Sequence, residues 1–256
     1  QSKKGLLTTV AYKNGPDAPP VYALEGSVAS CGSLIQWLRD KLQIISSVEE
    51  SETLARQAED NGGMYFVPAF AGLHAPYWDA TARGCMVGMT AFNEKMHVTR
   101  AALEAAAFQT EEVLRAMRTD SGIDFKSLKV DGGMTKNELL MQFQSDVLNV
   151  PLYCPTNPET TALGAAFAAG LAGGLWKDED ELKQTWAVSR TFEPEMDEKK
   201  RESLLREWQK AVQKSRGWTT DDDKSGLVQG FTTPFQLIGF GLLFGVLLQR
   251  SILSKW

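Results

Sequence analysis

Between residues 130 and 140 the chain sets Asp131, two adjacent glycines (Gly132 and Gly133) and Asn137 ahead of a run whose apolar members, Leu139, Leu140, Phe143 and Val147, have helical spacing. Residues 127–130 read as a short buried strand. Strand, glycine turn and helix together suit phosphate handling. Paired glycines let backbone come close to a ligand, and a helix start offers free N–H groups to an anion. Asn137 has two readings, as a cap for the helix or as a contact to a nucleotide. A tight turn with no ligand is the alternative for the whole unit. A second candidate lies upstream, where Gly32 falls early in a helical pattern and Gln36 follows one turn later. Glycine inside a helix costs about 1 kcal/mol relative to alanine, so it implies a close neighbour. That neighbour is either another backbone or a flat ligand such as a base.

Several elements must hold these residues in place. Residues 5–12 and 21–26, joined by a turn at Asn14, Gly15, Pro16 and Asp17, predict a hairpin. An acidic amphipathic helix is expected over 46–61, begun by Ser46 and Ser47 and ended by Asn61, Gly62 and Gly63. A buried strand over 64–70 leads into an aromatic, proline-containing loop, residues 72–79, of the kind that is functional or pinned into an interface. His74 in that loop reads as a satisfied loop histidine rather than a base. Another strand is expected over 84–90, then a long alanine-rich helix over 98–117. Its Glu104, Gln109, Glu111 and Glu112 read mostly as a solvated face, with Glu104 close to the apolar stripe. A strand over 150–154 precedes cap-rich residues 156–161 and an Ala/Gly helix, 162–175, whose small side chains suit packing on a sheet. A charged helix spans 196–215, and Trp186, Phe192 and Trp208 are its docking residues. Strands followed by strand–helix units define an α/β class with a mixed sheet flanked by helices.

Composition narrows the function. Across 256 residues the net charge is −5, with no Lys/Arg stripe, which excludes a nucleic-acid partner. Three separated cysteines and two histidines give no zinc-ligand pattern and fit reduced thiols in a cytosol-facing protein. The start at Gln1, directly before a strand, predicts an N-terminal truncation. Residues 219–230 read as a polar linker, and residues 231–256 as a hydrophobic tail. Within the tail, Gln236 is the only strongly polar residue of 235–248, and Arg250 and Lys255 follow. A short C-terminal membrane anchor is the sharper expectation for this tail, with one Gly-x-x-x-Gly at Gly241 and Gly245; a buried helix or a disordered hydrophobic end is the alternative.

Longer blocks carry a resemblance. Residues 71–79 with Ala82, Arg83 and Gly84 resemble the strongest block of the glycerol kinases. Residues 84–89 followed by 97–104 are similar to the second signature of the wider FGGY carbohydrate kinases. Residues 130–133 with Asn137, and 161–166, look like that family's adenine-nucleotide region. Leu6 to Thr9 and Tyr22 to Ser27 favour glycerol kinase over the sugar-kinase relatives. The match runs over residues 1–218.

The resemblance implies an RNase H-like lobe of the actin/hexokinase/Hsp70 type. Two such lobes hold ATP between them, with Mg²⁺ bridging its phosphates and glycerol against the first lobe. This chain matches the second lobe alone, so no catalytic residue and no metal ligand are expected in it. The family's nucleotide contacts carry over to Gly32, Gln36, Gly133 and Asn137, with Gly132 beside them. The implied reaction converts glycerol and ATP to sn-glycerol 3-phosphate and ADP, this fragment alone being inactive. His74 departs from relatives that often carry glycine in that loop. Another FGGY sugar or polyol kinase, or a non-catalytic nucleotide-binding product, are the competing readings. The implied location is cytoplasmic, with the tail as an anchor on the mitochondrial outer membrane, since some animal glycerol kinases attach there. A homo-oligomer is left open.

Overall fold

The computed structural model describes residues 2–219. The tail and nearly all of the linker therefore lie outside the described residues. Two antiparallel strands, β1 (Leu7–Tyr12) and β2 (Val21–Glu25), form the expected hairpin, in register from Leu7 opposite Glu25. Helix α1 (Gly32–Trp37) follows and widens into a π turn over Leu38–Leu42, which Gln43 ends in the left-handed region. Leu34, Ile35 and Leu38 on this helix are fully buried.

The helix expected over 46–61 contracts to α2 (Glu50–Ala55). On its N-terminal side, Ser46 N–H donates to the Glu50 carboxylate and Glu50 N–H donates to Ser47 Oγ, so the serines fold a turn of their own before the helix starts. On its C-terminal side, Gln57 and Ala58 N–H bond three residues back, which tightens the chain out of α-geometry before Gly62 and Gly63, both at positive φ.

Strand β3 (Tyr65–Val67) is buried along its whole length and pairs antiparallel with β4 (Cys85–Val87). The loop between them is pinned inside this lobe. Leu73 and Asp79 exchange backbone hydrogen bonds, Trp78 Nε1 donates to the Gly5 carbonyl at 2.5 Å, and Arg216 ion-pairs with Asp79 at 2.8 Å. His74 stacks on Trp78 and lies 3.4 Å from Ser27 Oγ, as expected for a satisfied loop histidine.

Helix α3 (Lys95–Ser121) is the central beam of the fold. His97, 3 % exposed, accepts from Glu94 N–H and closes its N-terminus, and Gly122 at positive φ ends it. The solvated acidic face expected on it is wrong for Glu104, Glu111 and Glu112, all of which are buried. Small alanines at 101, 102, 105, 106 and 107 bring neighbouring elements so close that the turns between them are covered as well. Each acid is compensated differently. Glu104 takes Arg100 Nε at 2.7 Å and Asn61 Nδ2 at 2.9 Å; Glu111 faces Arg115 at 3.5 Å; Glu112 accepts from the Tyr77 hydroxyl at 2.5 Å.

Strand β5 (Leu128–Lys129) is only two residues long, with Lys129 exposed where a buried strand was expected. It leads through a 3₁₀ turn, Gly133–Lys136, into α4 (Glu138–Leu148). Strand β6 (Leu152–Pro155) pairs parallel with β5 and antiparallel with β7 (Val188–Phe192), giving a mixed three-stranded sheet in the order β5-β6-β7. Between β6 and β7 run α5 (Thr160–Ala172) and α6 (Glu179–Lys183). Two expectations for α5 fail. Its cap position, Glu159, makes no side-chain cap bond, because Asn157 spends its Oδ1 on an Asx turn to Glu159 N–H. Nor does α5 pack on a sheet: none of its residues is buried among the described residues, and the contact it does make is local, Phe167 edge-on to Trp176. Helix α7 (Glu198–Ser215) docks through Trp208, which stacks on Phe108 of α3 at 5.1 Å between ring centroids. Trp208, Phe108, Phe66, Leu34 and Leu114 are among the largest fully buried side chains of a single core. Among the described residues, no helix is long and apolar enough to cross a membrane.

Candidate functional site

The glycine turn and α1 meet, although about a hundred residues separate them in sequence. A Cβ placed on Gly32, the first residue of α1, would lie 3.8 Å from the side chain of Met134 in the 3₁₀ turn, an ordinary contact distance. Gly32 thereby lies against the turn that carries Gly132, Gly133 and Asn137, and Gln36 follows one turn along α1 with an exposed side chain. Gly132 has φ +84°, a conformation that side chains with a Cβ rarely adopt, so its glycine serves the turn itself. Gly133 is different. A Cβ there would meet nothing within 4 Å and its φ is ordinary, so no atom of the described chain requires glycine at this position. The close neighbour expected at Gly32 is likewise no backbone of this chain, only the flexible Met134.

Both readings of Asn137 have a counterpart in the geometry. Its Oδ1 accepts the Leu140 N–H at 2.9 Å, which is the N-cap of α4. That bond also fixes the amide orientation. With the oxygen turned to the helix, the Nδ2 group faces away and has no hydrogen-bond partner among the described residues, leaving two donors for an acceptor outside the chain.

The expectation of free N–H groups for an anion at this helix start is overturned. Glu52 of α2 accepts from the N–H groups of Glu138 and Leu139 at 3.2 Å each. Arg190 of β7 holds the other side of the turn, donating to the Thr135 carbonyl at 2.8 Å and to Glu138 at 3.1 Å. Neither Glu52 nor Arg190 was legible as a site residue, since each reaches the turn from more than fifty residues away along the chain. The acidic helix pattern around Glu52 placed it on a surface and gave no register against α4. Asp131, half-buried at the mouth of the turn, has its pKa raised by burial and by the nearby negative charge of Glu159. Lys129, two residues before it, lies 3.9 Å from the Trp186 ring centroid.

Strand, open glycine turn, capped helix and an outward amide donor make a surface for a small ligand with hydrogen-bond acceptors. The chain belongs to the FGGY family of carbohydrate kinases, residues 1–173 matching that family's C-terminal domain. Its fold is the RNase H-like lobe of the actin/hexokinase/Hsp70 type. Among named relatives, the glycerol kinase of Clavibacter michiganensis is 59 % identical over 221 residues, and that of Renibacterium salmoninarum 60 % over 221 residues. Each alignment covers 86 % of this chain and 44 % of the relative, so the chain spans less than half the length of these relatives. Among solved structures, glycerol kinase of Plasmodium falciparum with ADP superposes with a TM-score of 0.77 at 41 % identity, over 84 % of this chain and 42 % of that one. A ligand-bound xylulose kinase from Lactobacillus acidophilus shares the fold, with a TM-score of 0.67 at 22 % identity over 82 % of this chain and 41 % of that one.

Proposed function

We propose that this chain is the nucleotide-binding lobe of a glycerol kinase, phosphorylating glycerol to sn-glycerol 3-phosphate at the expense of ATP. The observation that carries the reading is Gly133. Glycine stands at a position where the described chain leaves open space, near Asn137 with an outward amide that has no partner among the described residues. Close approach of a ligand explains both. The relatives near 59 % identity that are named glycerol kinase, and the Plasmodium enzyme solved with ADP, support glycerol and adenine nucleotide as the substrates. In this reading Gly32, Gln36, Gly132, Gly133 and Asn137 hold the adenosine end. In-line phosphoryl transfer is mainly a matter of positioning and charge stabilisation, and a lobe that fixes the nucleotide supplies part of the first. The acceptor alcohol and the base that deprotonates it belong to a first lobe. The Mg²⁺ implied by the family would ride on the nucleotide's phosphates and need few protein ligands of its own.

In the same proposal residues 1–218 form the kinase lobe, 219–230 a linker and 231–256 a membrane anchor. The anchor rests on the apolar run of 235–248 and the basic residues after it, and its assignment to the mitochondrial surface rests on the sequence resemblance alone. The experiment is glycerol-dependent ADP release by the purified chain, alone and with a first lobe added in trans. Activity only on addition is the expected result. Activity from the chain alone would place the base within it and end the lobe assignment, and silence in both would end the glycerol kinase reading.

A further inference from the structure

The start of α4 already holds an anion, one supplied by the chain itself. Glu52 spans 86 residues of sequence to place Oε2 on the Glu138 N–H and Oε1 on the Leu139 N–H, both at 3.2 Å. Leu140 N–H goes to Asn137 Oδ1, and Asn137 N–H returns to the Met134 carbonyl. Every N–H of this first turn is therefore satisfied from within the chain. Arg56 braces the carboxylate at the oxygen that Leu139 N–H also uses, with Nη2 at 2.6 Å and Nε at 3.0 Å from Oε1. A helix start is where a phosphate gains most from backbone N–H groups and the helix dipole, and here a carboxylate has taken that place. Beside this occupied helix start stands the Asn137 amide, a neutral donor matched to a neutral acceptor such as a ring nitrogen.

We propose that Glu52 is a specificity-determining residue of the candidate nucleotide site. Its carboxylate keeps phosphate from the start of α4, so the Asn137 end of the turn takes a nucleotide by its uncharged base-and-ribose part. This deepens the nucleotide reading and rests on it. Replacing Glu52 by a neutral side chain removes the negative charge from the helix start; glutamine keeps one acceptor oxygen and frees at least one of the two N–H groups for an outside anion, and serine is too short to hold both.

The test titrates the 256-residue chain and its Glu52→Gln variant separately with adenosine and with inorganic phosphate. It is followed by calorimetry and by the amide NMR shifts of Glu138 and Leu139. The wild type binds adenosine and shows no phosphate-dependent shift at these two amides. The variant binds phosphate about tenfold tighter than the wild type, with both amides shifting, while its adenosine affinity changes by less than about threefold. Glu52→Ser, also neutral and shorter, shows the same gain and serves if the glutamine variant folds poorly. Weaker adenosine binding with no gain of phosphate means a merely structural cap and overturns the proposal. Equal phosphate shifts in wild type and variant overturn it too. If phosphate is gained but adenosine binds neither protein, the anion exclusion stands and the nucleotide reading falls.

Discussion

Glu112 lies under the aromatic loop, and its replacement by glutamine gives a sharp test of how the buried acids of α3 are tolerated. The side chain is 4 % exposed. It accepts from Tyr77 at 2.5 Å and lines, with Leu73, His74, Gln109 and Trp208, a cavity of about 10 Å³. That volume holds about one water. Burial raises its pKa from 4.5 to about 7, with the Tyr77 hydrogen bond and the Arg115 charge pulling the other way and Glu111 adding repulsion. The groups facing it are Tyr77 from the loop, Trp208 from α7, and Glu111 and Arg115 from its own helix. A carboxyl whose folded pKa is raised favours the fold fully while protonated in both states, below about pH 4.5. It loses that contribution as pH rises toward 7. A displacement from 4.5 to about 7 is worth about 3 kcal/mol of stability lost by neutral pH. Glutamine keeps an acceptor for Tyr77 and cannot ionise. Glu112→Gln and wild type should therefore unfold in urea with nearly equal free energies at pH 4.5. At pH 8 the variant should be the more stable, by up to about 3 kcal/mol. Glu104, also raised by burial and not among the groups acting on Glu112, tilts both curves alike and cancels in the difference. A variant less stable by the same amount at both pH values would refute the reasoning, because Glu112 would then be a structural acceptor that stays ionised or does not titrate in this range.

Three further outcomes follow from the site and the core. Asn137→Asp keeps an acceptor for Leu140 N–H but replaces the outward amide with a carboxylate; thermal stability should hold while ADP affinity, measured by calorimetry, falls by about tenfold or more. Gly133→Ala meets no atom of the described chain, so its melting temperature should match wild type while ADP binding weakens, and unchanged binding would remove the main support for the site. Trp208→Ala empties the stack against Phe108 at the centre of the core; a loss of about 3–5 kcal/mol in urea unfolding is expected, and a loss below about 1 kcal/mol would show that α7 is not an integral part of the fold.

Much of the molecule was legible in local sequence because local physics decides it. β-Branched, apolar runs around a turn at Asn14 to Asp17 marked the β1–β2 hairpin, and helical patterning marked α3, α4 and α7. A backbone that needs positive φ selects glycine, which marked Gly132, and a short polar side chain at a helix start marked Asn137 as a cap. The family itself was readable because its blocks are long and fall in order over most of the chain. Tertiary structure decided what depends on register between distant elements. Only packing could bury Glu104, Glu111 and Glu112, since helical spacing fixes which side a residue faces and not how closely the neighbouring helices approach. Small side chains on α5 permitted packing without supplying a partner for it. Whether the N–H groups at the start of α4 are open to an anion depended on Glu52, brought there by the docking of α2. Sequence alone marked the candidate residues Gly132, Gly133 and Asn137, because turn and cap chemistry is local, and the fold determined that a carboxylate stands at the helix start beside them, because that depends on how distant elements dock.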